Sequence, residues 1–253
     1  DPPHRGPQRM KPAVFEIWVF LARSPLLWLT ITLLAYLGAL ALHRRSGNSP
    51  YVNPVLVAVA AIVSVLVVTR TPYETYFDGA KFVHFLIGPA TVALAVPLAS
   101  QIGRLRAMWL PLTVALAVGS VTAIASAVGI AWAFGASPEV LLSLAPKSAT
   151  MPIALGAAEA IGGLPSLAAM GVAITGISGA IMARSLLDGL GVRDPAVRGF
   201  AVGITAHAIG TARAIQVNET AGAFSALAMG LNGVATAVLV PLLPWVLRTL
   251  GVL

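Results

Sequence analysis

Between Ala107 and Phe134 the chain runs for 28 residues without one charged side chain. About 18 or more such residues cross a bilayer core as a helix. In lipid every backbone N–H and C=O must find a partner inside the protein, so only helices and closed barrels can span. Leu26 to Leu42, Val52 to Thr69, Pro165 to Leu187 and Thr220 to Leu247 are further apolar runs. Trp28, Trp109, Trp132 and Trp245 each lie two residues inside an end of one of these runs, where interfacial aromatic belts place them.

With 58% apolar and 10% charged residues and a mean hydropathy of +0.89, this is no ordinary soluble domain. A chain of 253 residues built this way has no room for a sizeable soluble part, so its function must reside in the membrane. The absence of Cys excludes disulfides, thiolate metal sites and Cys nucleophiles. The net charge of +7 is carried in short loops between apolar runs and forms no contiguous basic face. It reads as membrane topology rather than nucleic-acid binding. Neither a metal nor a cofactor is expected.

The polar, Pro-rich stretch Asp1 to Lys11 reads as a tail, a processing product or a cloning remnant. Ala13 to Ala22 is too short to span and reads as an interfacial helix. Residues 1–23 are therefore set apart from a transmembrane domain over 24–253. A sixth run, Phe82 to Ala99, carries Gly88-Pro89 and Pro97 and is expected to be kinked or broken. If it crosses, Arg44, Arg45, Arg104, Arg106, Arg184, Arg193 and Arg198 share one side. The positive-inside rule then makes that side cytoplasmic.

Two segments, 138–161 and 198–217, hold ionisable residues at their centres, flanked by Gly, Pro or Thr. This is a poor recipe for a continuous helix. A shift of 60 residues aligns them and the spans that follow without a gap. It matches Ala154 with Ala214, Glu159 with Glu219, Gly162 with Gly222, Leu167 with Leu227 and Ala168 with Ala228, and sets Lys147 on His207. The fold expected is an all-α polytopic membrane protein of about six spans plus these two re-entrant or broken segments. If both are re-entrant hairpins, the span Pro165 to Leu187 inverts the second copy and the tips meet near mid-membrane. If both cross as broken helices, the copies run parallel.

At the first tip, Pro152 suits the first turn of a half-helix capped at Thr150 or Met151, and the free N–H groups of that half-helix together with Lys147 and Ser148 make an anion site. The plainer reading is a snorkelling Lys and a kinked helix. At the second tip, Arg213 can grip a carboxylate, His207 can couple a proton, and Thr211 lies between them. The bland alternative is a structural His207, with Arg213 paired to Glu159 or Glu219. Asn232 in the last span is read as lining the site or hydrogen-bonding between helices, and Gly176, Gly179, Gly230 and Gly233 as close-packing positions. His84 stands beside the Gly88-Pro89 break, and His43 is read as a solvated loop residue.

Three ordered stretches, Phe85 to Leu98, Ser143 to Ser148 and His207 to Ala214, resemble the LrgB/CidB family. The similarity continues through Arg193-Asp194-Pro195 and Ala226 to Leu231. The resemblance implies a multi-pass bacterial inner-membrane protein, termed antiholin-like, with a small LrgA/CidA-type membrane partner and self-association into a homo-oligomer. Chloroplast relatives export glycolate and glycerate, and bacterial ones are tied to pyruvate. Ala206, Ala208 and Ala149-Thr150-Met151-Pro152 depart from the family's usual residues, which bears on the substrate more than on membership.

The expectation is a non-enzymatic, proton-coupled transporter of small monocarboxylates. Its alternative is a holin-like regulator of murein hydrolases and lysis. A more distant reading, a rhomboid-like serine protease, rests on Gly176-Ile177-Ser178-Gly179 and on Ala206 to Gly210.

Overall fold

The computed structural model describes residues 24–252 apart from 50, 87, 88, 90, 91 and 94, and apart from the side chains of 84, 95 and 97. The tail and interfacial helix expected over residues 1–23, Gly88 of the expected break and the side chain of His84 lie outside the described residues. Among the described residues the secondary structure is helical throughout. The chain divides into two compact units, residues 1–90 and 91–253.

In the first unit, α1 (Pro25–Arg45) packs against α2 (Pro54–Thr69) and α3 (Tyr73–Phe85). Proline opens α1 and α2, and the side chain of Asn53 caps α2 by accepting from the N–H groups of Val55 and Leu56. Trp28, fully buried, meets Tyr76 edge-on at 5.9 Å.

His43 corrects its sequence reading. It is 2% exposed, and its Nδ1 lies 2.7 Å from the Val52 carbonyl. A left-handed turn at Gly47 and Asn48 folds the loop back, with the Asn48 N–H on the His43 carbonyl. The run Phe82 to Ala99 forms no single helix. Its first residues complete α3, which begins earlier, after Pro72, and ends at Phe85 before a turn at Leu86, and Ala95–Ala99 are helical again.

The second unit comprises α4 (Ala95–Ala99), α5 (Ile102–Ala107), α6 (Trp109–Ala133), α7 (Pro138–Leu144), α8 (Met151–Ala160), α9 (Pro165–Gly189), α10 (Pro195–Val217), α11 (Glu219–Leu239) and α12 (Leu243–Thr249). A 3-10 turn at Val240–Leu242, where Pro241 removes a backbone donor, joins α11 to α12.

Among the described residues, four stretches are long and apolar enough to cross a membrane: α1, α6, α9 and the run from Glu219 to Thr249. The apolar α2, at 16 residues, is shorter than an ordinary span. Large side chains such as Val118, Ile174, Val234 and Trp245 are more than half exposed. That is the outside-apolar pattern of a polytopic membrane protein.

Both broken segments double back. In the first, α7 and α8 are separated by the turn Ala145 to Thr150, and the Ser143 hydroxyl accepts from the Leu164 N–H at 2.7 Å. A chain that crossed through α8 could not return to Ser143 after 21 residues. A Cβ on Gly163 would meet the backbone of Ser143, and one on Gly171 would meet Leu144 and Lys147, so α7 runs parallel to α9.

In the second segment the reversal is at His207, whose φ of 40° and ψ of −135° interrupt α10. Gly199 abuts the Ala221 carbonyl and Gly203 the Ser225 carbonyl, so the first half of α10 runs parallel to α11. Beyond His207 the direction flips, with Thr211 on Ser225 and Ile215 on Gly222. Both segments are therefore helical hairpins, each followed by a long helix that passes its tip. Because Gly179 meets Ala206 as α10 climbs back along α9, the second unit of hairpin plus helix is inverted relative to the first.

Candidate functional site

The two tips are held by each other's long helices. His207, 2% exposed, places Nε2 3.0 Å from the carbonyl oxygen of Val172 in α9. A carbonyl can only accept, so Nε2 carries the hydrogen and Nδ1 is left for proton exchange. Reciprocally, Asn232 in α11 donates its amide to the Ser148 carbonyl of the first tip at 2.9 Å. Val172 and Asn232 are 60 positions apart, as are Lys147 and His207.

Asn232 does more than line the site. Its second amide contact goes to the Ile204 carbonyl at 3.1 Å, just before the second tip, and its Oδ1 accepts from Ser120 of α6 at 2.7 Å. At 1% exposed, this one side chain joins both tips and α6.

Lys147 stands half-buried on the first tip, its Nζ 3.2 Å from the Ser148 hydroxyl. Thr150 is the N-cap of α8 in extended conformation, and its side chain makes no capping bond, so the first-turn N–H groups of α8 are left to other partners. On the second tip, Thr211 donates to the His207 carbonyl at 2.8 Å, which leaves Ser225 as donor in the 2.8 Å contact between their hydroxyls. Lys147 and His207 both flank α9 about Val172, Lys147 beside Gly171 and His207 on the Val172 carbonyl and beside Gly176. Arg213 lies half-buried on the returning half of α10, within electrostatic range of Arg184.

Small residues make these approaches possible. A Cβ on Gly176 would fall 2.5 Å from Cε1 of His207, and one on Gly179 would fall 2.7 Å from the Cβ of Ala206. Gly233 meets Ile153, whereas Gly230 has open space beside it. Ser120, Ser225 and the Val172 carbonyl were not legible as site groups, since each sits in an apolar stretch with nothing to distinguish it from packing. The protease arrangement is not formed, because His207 is bonded to Val172 and Ser178 is exposed.

Residues 32–246 match the LrgB-like family. The chain belongs to that family. The LrgB-like chain is 36% identical over 215 residues to the uncharacterized protein YxaC of Bacillus subtilis, covering 85% of this chain and 93% of that one. It is 32% identical, with the same coverage, to an uncharacterized protein of Haemophilus influenzae. It is also 30% identical over 219 residues to the antiholin-like protein LrgB of Bacillus mycoides, covering 87% and 95% of the two chains. No solved structure matches this LrgB-like chain.

Proposed function

We propose that this protein is a multi-pass inner-membrane transporter of small monocarboxylates such as glycolate, glycerate or pyruvate, coupled to protons. The observation that carries the reading is the reciprocal seating of two inverted hairpin tips, each bearing a basic side chain at the same repeat position, Lys147 and His207. Irregular backbone at membrane depth is tolerated where it is buried in protein or lines a cavity, and ionisable side chains there mark substrate or ion pathways. Inverted repeats with broken helices meeting near the midplane are how many secondary carriers build their substrate site.

In this reading the carboxylate lies between the tips. Lys147, Ser148 and the open N-terminus of α8 behind Thr150 hold it from one side. His207, backed by Thr211, and Arg213 hold it from the other. Asn232 keeps the tips in register. A charged side chain at a helix centre costs about 2.5–3.5 kcal/mol on insertion scales, an expense that an anionic ligand offsets.

The test is uptake of labelled glycolate, glycerate and pyruvate by liposomes containing only this chain, with and without an inward proton gradient. Saturable uptake stimulated by the gradient is expected. Flux equal to that of protein-free liposomes would overturn the reading.

A second reading is favoured by the name of the Bacillus mycoides relative, antiholin-like. Here the chain regulates murein hydrolases and lysis through assembly, as a homo-oligomer and with a small LrgA/CidA-type partner. That reading predicts lysis phenotypes that survive Lys147→Ala and His207→Gln, which the transport reading does not.

A further inference from the structure

Away from the tips, an apolar groove of about 320 Å³ separates the first half of α6 from the first half of α10. Leu112, Ala115 and Gly119 form one wall, and Phe200, Ala201 and Ile204 the other. The two walls run in the same direction, since Leu112 and Phe200 share a packing cluster and Gly119 abuts Ile204. The groove therefore has an outer end at Met108 and Val197 and an inner end at Gly119 and Thr205. Ile204 at the inner end supplies one of the carbonyls that Asn232 holds.

The outer end opens beside a belt of linked charges. Arg104 bonds Asp194 at 2.6 Å, Asp194 begins the helical turn that ends at Arg198, and Arg198 bonds Asp188 at 2.6 Å. Arg184 completes the chain, 3.8 Å from Asp188. Three arginines are thus matched by two aspartates, and exposed Arg193, next to Asp194, and exposed Arg106, two residues before Met108, add to the surplus. An apolar slot reaching from a cationic rim toward mid-membrane has the chemistry of a two-part ligand, an acyl chain joined to an anionic head.

We propose that this groove is a binding site for an anionic phospholipid. One acyl chain lies between α6 and the first half of α10, and the phosphate rests on the arginine rim. The charge surplus selects a lipid over the uncharged helix of a partner protein or of a second copy. Because the inner end is formed by Ile204, the lipid braces the hairpin that carries His207. The proposal is independent of what the tips bind.

The experiment is native mass spectrometry of the purified full chain in neutral detergent, titrated with dioleoyl phosphatidylglycerol or with dioleoyl phosphatidylcholine. Melting temperature is followed in parallel. One phosphatidylglycerol is expected to bind per chain at least about tenfold more tightly than phosphatidylcholine, and to raise the melting temperature.

Ala115→Trp, whose side chain fills an exposed part of the groove, should abolish that preference. The double substitution Arg106→Gln with Arg193→Gln should reduce it about tenfold without touching the groove. Glycerol phosphate, which has the head without the chains, should not raise the melting temperature. Equal binding of the two lipids, or an undiminished preference in both variants, would overturn the proposal. A concentration-dependent dimer dispersed by Ala115→Trp, with no lipid preference, would assign the groove to a second copy instead.

Discussion

Val172 and Asn232 occupy the same place in the two copies of the repeat and hold the opposite copy's tip, but with the bonding roles exchanged. Val172 offers its backbone carbonyl to the His207 side chain, whereas Asn232 offers its side chain to the Ser148 backbone. The exchange concentrates polar side-chain bonding on one residue, and the first prediction follows from it.

Asn232→Ala should leave the Ser148 and Ile204 carbonyls and the Ser120 hydroxyl buried without their present partner. Interhelical bonds in membranes contribute about 0.6–1.7 kcal/mol each, so a loss of roughly 2 kcal/mol is expected. Thermal unfolding in detergent measures it. Adding Ser120→Ala should cost less than it does alone, because the shared bond is already gone.

Gly199 and Gly203 face backbone carbonyls of α11 too closely for any Cβ, whereas Gly156 on α8 has nothing within 4 Å. Gly199→Ala or Gly203→Ala should destabilise by about 1–3 kcal/mol through forced separation of α10 from α11. Gly156→Ala should be neutral or stabilising by about 0.5–1 kcal/mol, since it only removes backbone freedom from a helix. The same unfolding assay compares all three.

The hairpins were legible in part. Pro146 and Pro152 bracket Lys147 and make the first turn inevitable. The second reversal falls at a histidine in the left-handed region, between half-helices that run right up to it, so only the misplaced charges hinted at it. Ala168 and Ala228, matched in the repeat, are both fully buried. The more telling pair, Val172 and Asn232, differs in identity because one uses backbone and the other side chain, and sequence comparison cannot see a backbone bond. Gly199 and Gly203 escaped notice for a related reason, since what they approach is main chain 22 residues away. His43 was misread because a two-residue left-handed turn, not its own neighbours, buries it.

For carboxylate binding, Lys147→Ala and Arg213→Ala should each weaken affinity more than tenfold, about 1.4 kcal/mol, by removing a charge-assisted contact. Lys147→Arg should restore it incompletely, because a planar fork does not replace a compact ammonium. Isothermal titration with glycolate, glycerate or pyruvate, the acids of the proposed function, reads this directly, and unchanged affinity in folded variants would make the tips purely structural.

Protonation of His207 adds a positive charge at Nδ1 while Nε2 stays on Val172. Carboxylate affinity should therefore be full at low pH and fall as pH rises through the His207 titration. His207→Gln, which can still donate a hydrogen bond but does not titrate, should flatten that profile. Superimposable profiles would remove His207 from coupling.

Asp194, at the loop end of α10, provides a pH test outside the membrane-spanning part. Desolvation pushes its carboxyl upward, but the Ala196 N–H, the Arg104 guanidinium and the Val197 N–H together hold it below the usual value. Its contribution should be complete above the unfolded value of about 3.9 and be lost as pH falls through the lower folded value. Asp194→Ala should remove both the cap and this acid dependence, at a cost of about 1 kcal/mol at neutral pH. Unfolding midpoints across acid pH, wild type against variant, check it.

Asn232 also has a mechanical consequence. A latch shared by both tips gangs them, so neither hairpin can withdraw without first releasing the side chain that also steadies the other. A displacement of one tip would thereby be felt at the other through a single amide. Under the proposed transport reading, opening both faces at once would require that amide to let go of both carbonyls together, the costliest arrangement open to it and the leak that a carrier must avoid.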